Sequence, residues 1–349
     1  KEKTEEMLEA LQYPAFIIDQ NANLRQANYQ SKQAFGDISE GDRIFSRFRQ
    51  PELRRLIEQT LASAKSGKID YHEAGSGDRW YNVEISAIPW ASGEKPNFLL
   101  GFHDQTEAKR TEQMRSDFIA NASHELRTPL ASLLGYIETI KGPARDDAKA
   151  IDKFTDVMLE QAQRMTRLVN DLLSLSRIEM KAHMRPEDEV DLGEILSSVA
   201  SSLDGMAKQM GIEIEFNRPK GIKVLGDRDE LLEVFENLVE NACKYGQDGK
   251  KVILSVDTDE NSADVSVRDF GPGIAVEHQH RITERFYRVD VARSREKQGT
   301  GLGLAIVKHI LNRHGTRLMV KSEPGKGAEF TVKLALSTKM HIQNNVVKT

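Results

Sequence analysis

The amino-acid sequence predicts a multidomain α+β protein with three folded parts and a loose C-terminal tail. These parts are a small α+β domain over residues 1–105, a linker helix and two long antiparallel helices over 106–189, and an α/β sandwich over 190–337. Short apolar runs with strand-like alternation mark the first part, and apolar residues at helical spacing mark the second. Alternating helix and strand patterns mark the third part. The tail, residues 338–349, is polar and is expected to be flexible.

The composition is that of an ordinary soluble protein surface. The 349 residues carry a net charge of -5, and the 30% that are charged include both signs interspersed along the chain. Since a nucleic-acid-binding protein would show a basic stripe, we expect no nucleic-acid partner. The single cysteine, Cys243, excludes internal disulfides and fits a reducing, cytoplasmic compartment. No apolar run is long enough to span a membrane, so membrane contact is expected only through a missing segment before Lys1.

The N-terminal part contains five short strand patterns. They lie at residues 14–19, 24–28, 70–72, 80–90 and 97–103, with a helical middle between the second and third. Two strands, several helices and three further strands, closing on Asp104-Gln105-Thr106, resemble a PAS domain. The resemblance implies a five-stranded antiparallel sheet with helices packed on it.

PAS domains bind haem, flavin or small metabolites, or only dimerise, and the residues here narrow that choice. His72 and His103 are the candidate haem ligands, but histidines of this kind are far more often satisfied or exposed residues. Because this part contains no cysteine, a flavin–thiol photosensor is excluded. We expect no tightly bound PAS cofactor.

The central helix pattern surrounds the string Ser-His-Glu-Leu-Arg-Thr-Pro-Leu at residues 123–130. Apolar residues at steps of three and four predict one buried stripe, and at about 100° per residue His124 points away from it. Thr128 lies one turn later on the same face, and Glu125 is adjacent to the histidine. Pro129 costs a helix interior about 3 kcal/mol, which loosens or bends the helix beside the imidazole. A lone histidine of this kind is usually a solvated residue, so the string needs support from elsewhere in the chain.

A second helix pattern follows the first after a short connection. Gly142-Pro143 ends the first helix, and apolar residues then recur at helical spacing from Ile151 to Ile178. Two amphipathic helices joined in this way cannot cover both apolar stripes by themselves. Pairing two hairpins into a four-helix bundle does cover them, so the pattern predicts a homodimer.

The C-terminal part contains a helix with one polar stripe. Asp227 is its expected N-cap, and Glu233, Asn237, Asn241 and Lys244 follow at spacings of four, four and three. Amide oxygens suit Mg²⁺ and the lysine suits phosphate. A stripe of this kind can equally be a solvated face.

Two glycine-containing strings stand at the ends of predicted elements. In Asp269-Phe270-Gly271-Pro272-Gly273, a carboxylate at a strand end can accept from an adenine amino group, and the glycines let backbone approach the base. Gly299-Thr300-Gly301-Leu302-Gly303 opens a helix, whose free amides and positive dipole end suit triphosphate oxygens. Tight turns would explain either string about as well, and the second is neither a dinucleotide fingerprint nor a Walker motif.

The motifs taken together resemble bacterial sensor histidine kinases. The string around His124 matches the phosphoacceptor box His-Glu-x-x-Thr-Pro, and residues 237–245, 269–273, 284–288 and 299–304 follow in the order of the family's ATPase domain. That domain has a fold shared with gyrase and a chaperone family, and the resemblance covers roughly residues 110–336. The amino-acid sequence around His124 most resembles that of the phosphate-regulon sensor subfamily. One departure is Ala328, where threonine is common.

The resemblance implies a reaction and its residues. His124 would take the phosphoryl group of ATP, Glu125 would accept the imidazole proton, and Thr128 would position water for the reverse, phosphatase reaction. The phosphoryl group would pass to an aspartate of a response regulator. Asn241 would hold Mg²⁺ with Glu233 and Asn237 assisting. Asp269 would read adenine, Tyr245 would flank the nucleotide, and Lys244 and Arg288 would meet phosphates. Residues 290–298 would form a mobile lid.

Two other readings stay open at this point. One is a non-catalytic PAS signalling adaptor with a degenerate ATP domain, and the other is a conformational ATPase of the gyrase or chaperone type. The sequence leaves undetermined the signal, the cognate regulator, the balance of kinase and phosphatase activity, and whether phosphorylation occurs within or across subunits.

Overall fold

The α+β class predicted from the sequence is confirmed by a computed structural model. The structure describes residues 2–74, 77–88, 96–181, 183–217, 221–246, 249–289 and 299–337. The chain divides into two compact units, Lys1–Ile119 and Ala120–Thr349. The predicted tail, residues 338–349, and the predicted lid, residues 290–298, lie outside the described residues. None of the described helices combines the length and apolar composition that crossing a bilayer requires.

The first unit contains a five-stranded antiparallel sheet, in agreement with the sequence. The strands follow the order β2-β1-β5-β4-β3. The elements are helices α1 (Glu2–Glu9), α2 (Tyr29–Phe35) and α3 (Pro51–Ser63), and strands β1 (Ala15–Ile18), β2 (Leu24–Ala27), β3 (Gly67–Glu73), β4 (Arg79–Ile88) and β5 (Asn97–Asp104).

Aromatic rings fill the space between this sheet and its helices. Phe16, Phe35, Phe48 and Phe102 are buried and pack with ring centroids 4.8 to 6.1 Å apart. Offset and edge-on packing at such distances stabilises a core beyond the apolar area that it buries. The interior of this domain is therefore packed with side chains of its own.

A buried asparagine fixes the N-terminal helix to the sheet. The Nδ2 amide of Asn28 lies 3.3, 3.2 and 2.9 Å from the carbonyl oxygens of Leu8, Leu11 and Tyr13. Its Oδ1 accepts from the backbone N–H groups of Ala15 and Ser31, each at 3.0 Å. One side chain thus ties the end of α1, the start of β1 and the start of α2 together.

The helical hairpin consists of α4 (Thr106–Lys141) and α5 (Ala148–Met180). Helix α4 ends before Gly142, as predicted, and the side chain of Asp147 caps α5. The helices run antiparallel, because Tyr136 stacks on Phe154 with centroids 5.3 Å apart and Glu125 pairs with Arg164.

Part of the apolar surface of this hairpin is exposed within one chain. Leu130, Leu134 and Ile137 of α4 are exposed, as are Val169 and Leu173 of α5. Two antiparallel helices share a single groove, so residues on either side of it stay uncovered. One hairpin by itself therefore does not cover all of its apolar side chains, as expected from the sequence.

The C-terminal part is a sandwich of helices on a five-stranded sheet of order β11-β12-β10-β9-β7, in which only the β7–β9 pair is parallel. The sheet strands are β7 (Glu213–Phe216), β9 (Lys251–Thr258), β10 (Ser262–Asp269), β11 (Leu318–Ser322) and β12 (Ala328–Ala335). The helices are α6 (Leu192–Gln209), α7 (Arg228–Tyr245), a short α8 (Val276–Gln279) and α9 (Gly303–Arg313).

A second, two-stranded sheet pairs β6 (Glu189–Asp191) with β8 (Lys223–Leu225). Strand β6 was not predicted, because a three-residue strand carries no period of its own. The helix predicted after the Asp227 cap is present as α7.

Candidate functional site

A cavity of about 650 Å³ lies between α7, the loop after β10, the segment before α9 and one face of α5. This volume is within the range of ordinary small-molecule sites. Most residues predicted to bind nucleotide or metal line it: Glu233, Asn237, Asn241, Lys244, Tyr245, Asp269, Gly273, Arg288, Gly299, Thr300, Gly301 and Gly303. Of the residues predicted to bind nucleotide or metal, Gly271 and Leu302 fall outside the lining, and so do the predicted catalytic residues His124, Glu125 and Thr128.

The polar stripe of α7 forms one wall of the cavity. The opposite face of the helix, including Leu231, Phe235 and Leu238, is buried in the core, which turns the stripe toward the cavity. The Nζ of Lys244 pairs with Glu240 at 2.7 Å. The carboxylate of Glu233 accepts from the Ser174 hydroxyl of α5 at 2.5 Å, and burial raises the pKa of Glu233.

Asp269 stands at the end of β10 with its two oxygens in different settings. Oδ1 accepts from the N–H groups of Gly271 at 2.9 Å and Ala328 at 3.3 Å. The residue is 5% exposed, and burial raises the pKa of its carboxyl. Gly271 shapes this loop rather than lining the cavity, because an added Cβ would lie 2.5 Å from the carbonyl oxygen of Tyr245.

The glycine string before α9 is held by close backbone approach. Gly301 has a φ of +76° and accepts from the N–H of Phe286 at 2.8 Å. Gly303 faces α7, where an added Cβ would lie 2.3 Å from Oδ1 of Asn237. Leu302 is fully buried, so its side chain anchors the string in the core. Side chains larger than hydrogen would push this string away from α7.

Thr300 links the glycine string to the hairpin. Its hydroxyl accepts from the N–H of Leu302 at 3.2 Å and donates to Oδ2 of Asp171 on α5 at 2.7 Å. Burial raises the pKa of Asp171, and the charges of Glu233 and Glu240 add to this. A hairpin carboxylate therefore contacts the end of the helix that the sequence assigns to phosphate.

The predicted phosphoacceptor face is accessible. His124 is exposed on α4, and the hydroxyl of Thr128 donates to the carbonyl oxygen of His124 at 3.2 Å. Oε2 of Glu125 accepts from Arg164 of α5 at 2.9 Å and from Arg288 at 3.1 Å. Arg288 also lines the cavity, so the structure connects the cavity wall to the residue beside His124.

Helix α5 supplies functional candidates that sequence reasoning missed. Arg167, Asn170 and Asp171 line the cavity, and Arg164 contacts Glu125. Their spacings of three, three and one place them on one side of the helix. This polar side was visible in the sequence, but the element that it contacts was not.

Two observations test whether a magnesium nucleotide fits these residues. The Nε of Arg288 is buried and has no partner among the described residues, which leaves a donor for an anion at the cavity wall. Asn237, Asn241 and Glu233 line the same cavity, and Mg²⁺ is usually bound by one or two carboxylates together with other oxygen ligands. The residues fit both groups.

The fold and the site define a class of protein in which a helical hairpin with an accessible histidine is joined to a nucleotide-binding sandwich. Comparison with known families gives the same two parts. Residues 114–181 match the family "His Kinase A (phospho-acceptor) domain". Residues 226–338 match the family "Histidine kinase-, DNA gyrase B-, and HSP90-like ATPase". The chain belongs to the bacterial two-component sensor histidine kinases, which confirms the predicted family.

The chain is similar to individual proteins as well. The sensor protein SrrB of Staphylococcus aureus is 33% identical over 318 residues, which is 91% of this chain and 53% of SrrB. The chain thus spans about half the length of the curated relatives that it matches. Among solved structures, histidine kinase ThkA in complex with response regulator TrrA is 21% identical with a TM-score of 0.47, covering 96% of this chain and 99% of ThkA. Full-length ShkA in complex with AMPPNP is 28% identical with a TM-score of 0.47. The match covers 65% of this chain and 46% of ShkA. The narrower phosphate-regulon label stays a prediction.

Proposed function

We propose that this chain is an ATP-dependent protein-histidine kinase that phosphorylates His124 and passes the phosphoryl group to an aspartate of a response regulator. The observation that carries the proposal is the position of Arg288. Its guanidinium lines the nucleotide-sized cavity and contacts Glu125, the residue next to the exposed His124. A single side chain thus belongs both to the cavity and to the phosphoacceptor face.

The cavity residues divide between the base and the phosphates of ATP. Asp269 accepts from the adenine amino group through Oδ2, because two backbone amides already occupy Oδ1. Tyr245 flanks the nucleotide, and Gly271 and Gly273 keep the loop close to the base. The backbone of Gly299, Thr300, Gly301, Leu302 and Gly303, at the start of α9, meets the phosphates. Lys244 and Arg288 neutralise their charge.

Asn241 is the proposed principal ligand of Mg²⁺, with Glu233 and Asn237 assisting. The ion, when bound, neutralises charge on the transferring phosphoryl group. Burial raises the pKa of Glu233, although the hydroxyl of Ser174 and the charge of Arg177 oppose that rise.

His124 is the proposed nucleophile. A nitrogen–phosphorus bond forms to its ring as the bond between the γ-phosphorus and the ADP oxygen breaks. The proton of the other ring nitrogen passes to Glu125. Thr128, one turn along α4, positions water in the reverse, phosphatase reaction.

The proposed assembly is a homodimer made through the hairpin, with a response-regulator receiver domain as the transfer partner. We propose the division into a PAS domain over 1–105, the phosphotransfer hairpin over 106–189 and the ATP-binding domain over 190–337. A cytoplasmic location for this portion is part of the same proposal.

Labelling with [γ-³²P]ATP tests the reaction. The wild-type chain is expected to take up acid-labile, base-stable label, whereas His124→Gln takes up none and still binds an ATP analogue by calorimetry. Asn241→Ala is expected to lose binding of the magnesium analogue. Label in His124→Gln would remove His124 from the reaction. Steady ATP hydrolysis without phosphohistidine would favour a conformational ATPase, and neither binding nor hydrolysis would favour an adaptor.

A further inference from the structure

The two carboxylate oxygens of Glu125 have different surroundings. Oε2 accepts from Nη2 of Arg164 at 2.9 Å and from Nη2 of Arg288 at 3.1 Å. In the part of the chain that the structure describes, Oε1 accepts no hydrogen bond. One oxygen is therefore fixed by two guanidinium groups, and the other is available to a further donor.

The two arginines differ in where they are attached. Arg164 belongs to α5, so it lies on the same hairpin as Glu125 and His124. Arg288 belongs to the nucleotide domain, and under the proposed function its guanidinium is needed at the phosphates of ATP. Arg164 is then the partner that stays with Glu125 while Arg288 engages the nucleotide.

The Arg164–Glu125 pair is also better shielded from water than a surface ion pair. The side chain of Arg164 is 15% exposed and that of Glu125 is 26% exposed. Exposed pairs contribute little because solvent screens them, whereas a guanidinium shielded in this way holds its partner in one orientation. A Glu side chain freed from such a contact regains rotamer freedom, and that freedom must be lost again before each proton transfer.

We propose that Arg164 is a positioning residue for phosphoryl transfer. It holds Oε2 of Glu125, so that Oε1 is presented to the ring N–H of His124 and takes its proton as the nitrogen–phosphorus bond forms. This inference rests on the proposed function and extends it to a residue on the second helix of the hairpin. Arg164 itself touches neither ATP nor the phosphoryl group in this role.

Autophosphorylation kinetics over a range of Mg-ATP concentrations test the role. Arg164→Gln is expected to lower kcat about tenfold to a hundredfold, part of the 10²–10⁴-fold that general base catalysis contributes, while KM for ATP stays near the wild-type value. Arg164→Lys keeps a charged donor and is expected to restore part of kcat. Lys153→Gln removes an exposed positive charge from the same helix and serves as the matched control.

The double variant with Glu125→Gln separates positioning from a merely structural role. If Arg164 acts through Glu125, the double variant Glu125→Gln/Arg164→Gln is no slower than Glu125→Gln alone. A further drop that multiplies the two single effects overturns the proposal, as does a kcat of Arg164→Gln equal to that of Lys153→Gln. If circular dichroism shows that Arg164→Gln does not fold, Arg164→Lys takes its place in both comparisons.

The same assay distinguishes failure of this inference from failure of the proposed function. An unlabelled wild-type chain refutes the kinase proposal itself. A wild-type chain that labels normally, with Arg164→Gln as fast as the control, refutes only the role of Arg164.

Discussion

His314 makes two hydrogen bonds that require an uncharged imidazole. Its Nε2 accepts from the backbone N–H of Asp227 at 3.1 Å, and its Nδ1 donates to the carbonyl oxygen of Ile310 at 2.8 Å. Burial lowers the pKa of His314 below its ordinary value. The ring therefore joins the end of α9 to the start of α7 only in its neutral form.

The pH dependence of stability follows from that lowered pKa. The unfolded chain takes up the proton near pH 6.5 and the native chain only at lower pH, so this stabilisation is present above about pH 6.5 and is lost as the pH falls toward the folded value. We expect His314→Gln to flatten the fall in free energy of unfolding between about pH 7 and 5. Urea unfolding at several pH values measures it. An unchanged slope would show that another group, such as the half-buried His309, dominates.

Asp269 offers a second test at single-residue resolution. If Oδ2 accepts from the base, Asp269→Asn loses a hydrogen bond to a charged acceptor, which is worth about 1.5–3 kcal/mol. We expect affinity for an ATP analogue to fall about tenfold to a hundredfold in calorimetry. Asp257→Asn, at an exposed position of β9, is the control. Equal affinities for the two variants would exclude Asp269 from base recognition.

Sequence analysis identified candidate residues that belong to a motif. It did not identify residues of α5 that join the site only because α5 packs beside the cavity. Asn241 was predicted to hold Mg²⁺ and Thr300 to bind the nucleotide, because their strings have a fixed spacing, and both residues line the cavity. Asp171 and Arg164 belong to an ordinary polar side of α5. Their partners are more than 100 and about 40 residues distant in the chain, and no local pattern encodes such contacts.

At the level of elements, α5 acts as a wall of the nucleotide cavity. Its Asp171 carboxylate occupies the hydroxyl of Thr300, where the helix dipole of α9 favours a phosphate. We expect Asp171→Ala to free that hydroxyl and remove a repelling carboxylate, which raises affinity for an ATP analogue several-fold. Asp156→Ala, at an exposed position of the same helix, is the control. Weaker binding by Asp171→Ala would instead make Asp171 part of the binding site.

The elements themselves were largely predictable, because their apolar patterns repeat over many residues or because capping and helix-breaking residues mark their ends. Helix α7 begins after its Asp227 cap, and α4 ends before Gly142. Strand β6 was not predicted, because three residues are too few to show an alternating apolar pattern. It forms a strand by pairing with β8. Pro129 lies inside α4, which continues through it to Lys141.

For the whole molecule, the exposed apolar side chains of the hairpin support the proposed homodimer. Leu134 is 54% exposed and Leu173 is 56% exposed, in company with Leu130 and Ile137. Isolated exposed leucines are ordinary, but several on facing helices form a surface that one chain leaves uncovered. A second hairpin of the same shape is the partner whose apolar stripe matches it.

We therefore expect Leu134→Asp to weaken the proposed homodimer strongly, because the variant would bury an unpaired carboxylate between the helices of the proposed four-helix bundle. Sedimentation velocity over a range of protein concentrations measures the shift toward monomer. Val276→Asp introduces the same charge at an exposed position of α8 and is expected to leave the dimer intact. A Leu134→Asp chain that dimerises as tightly as this control would mean that the hairpin stripe is not the dimer interface.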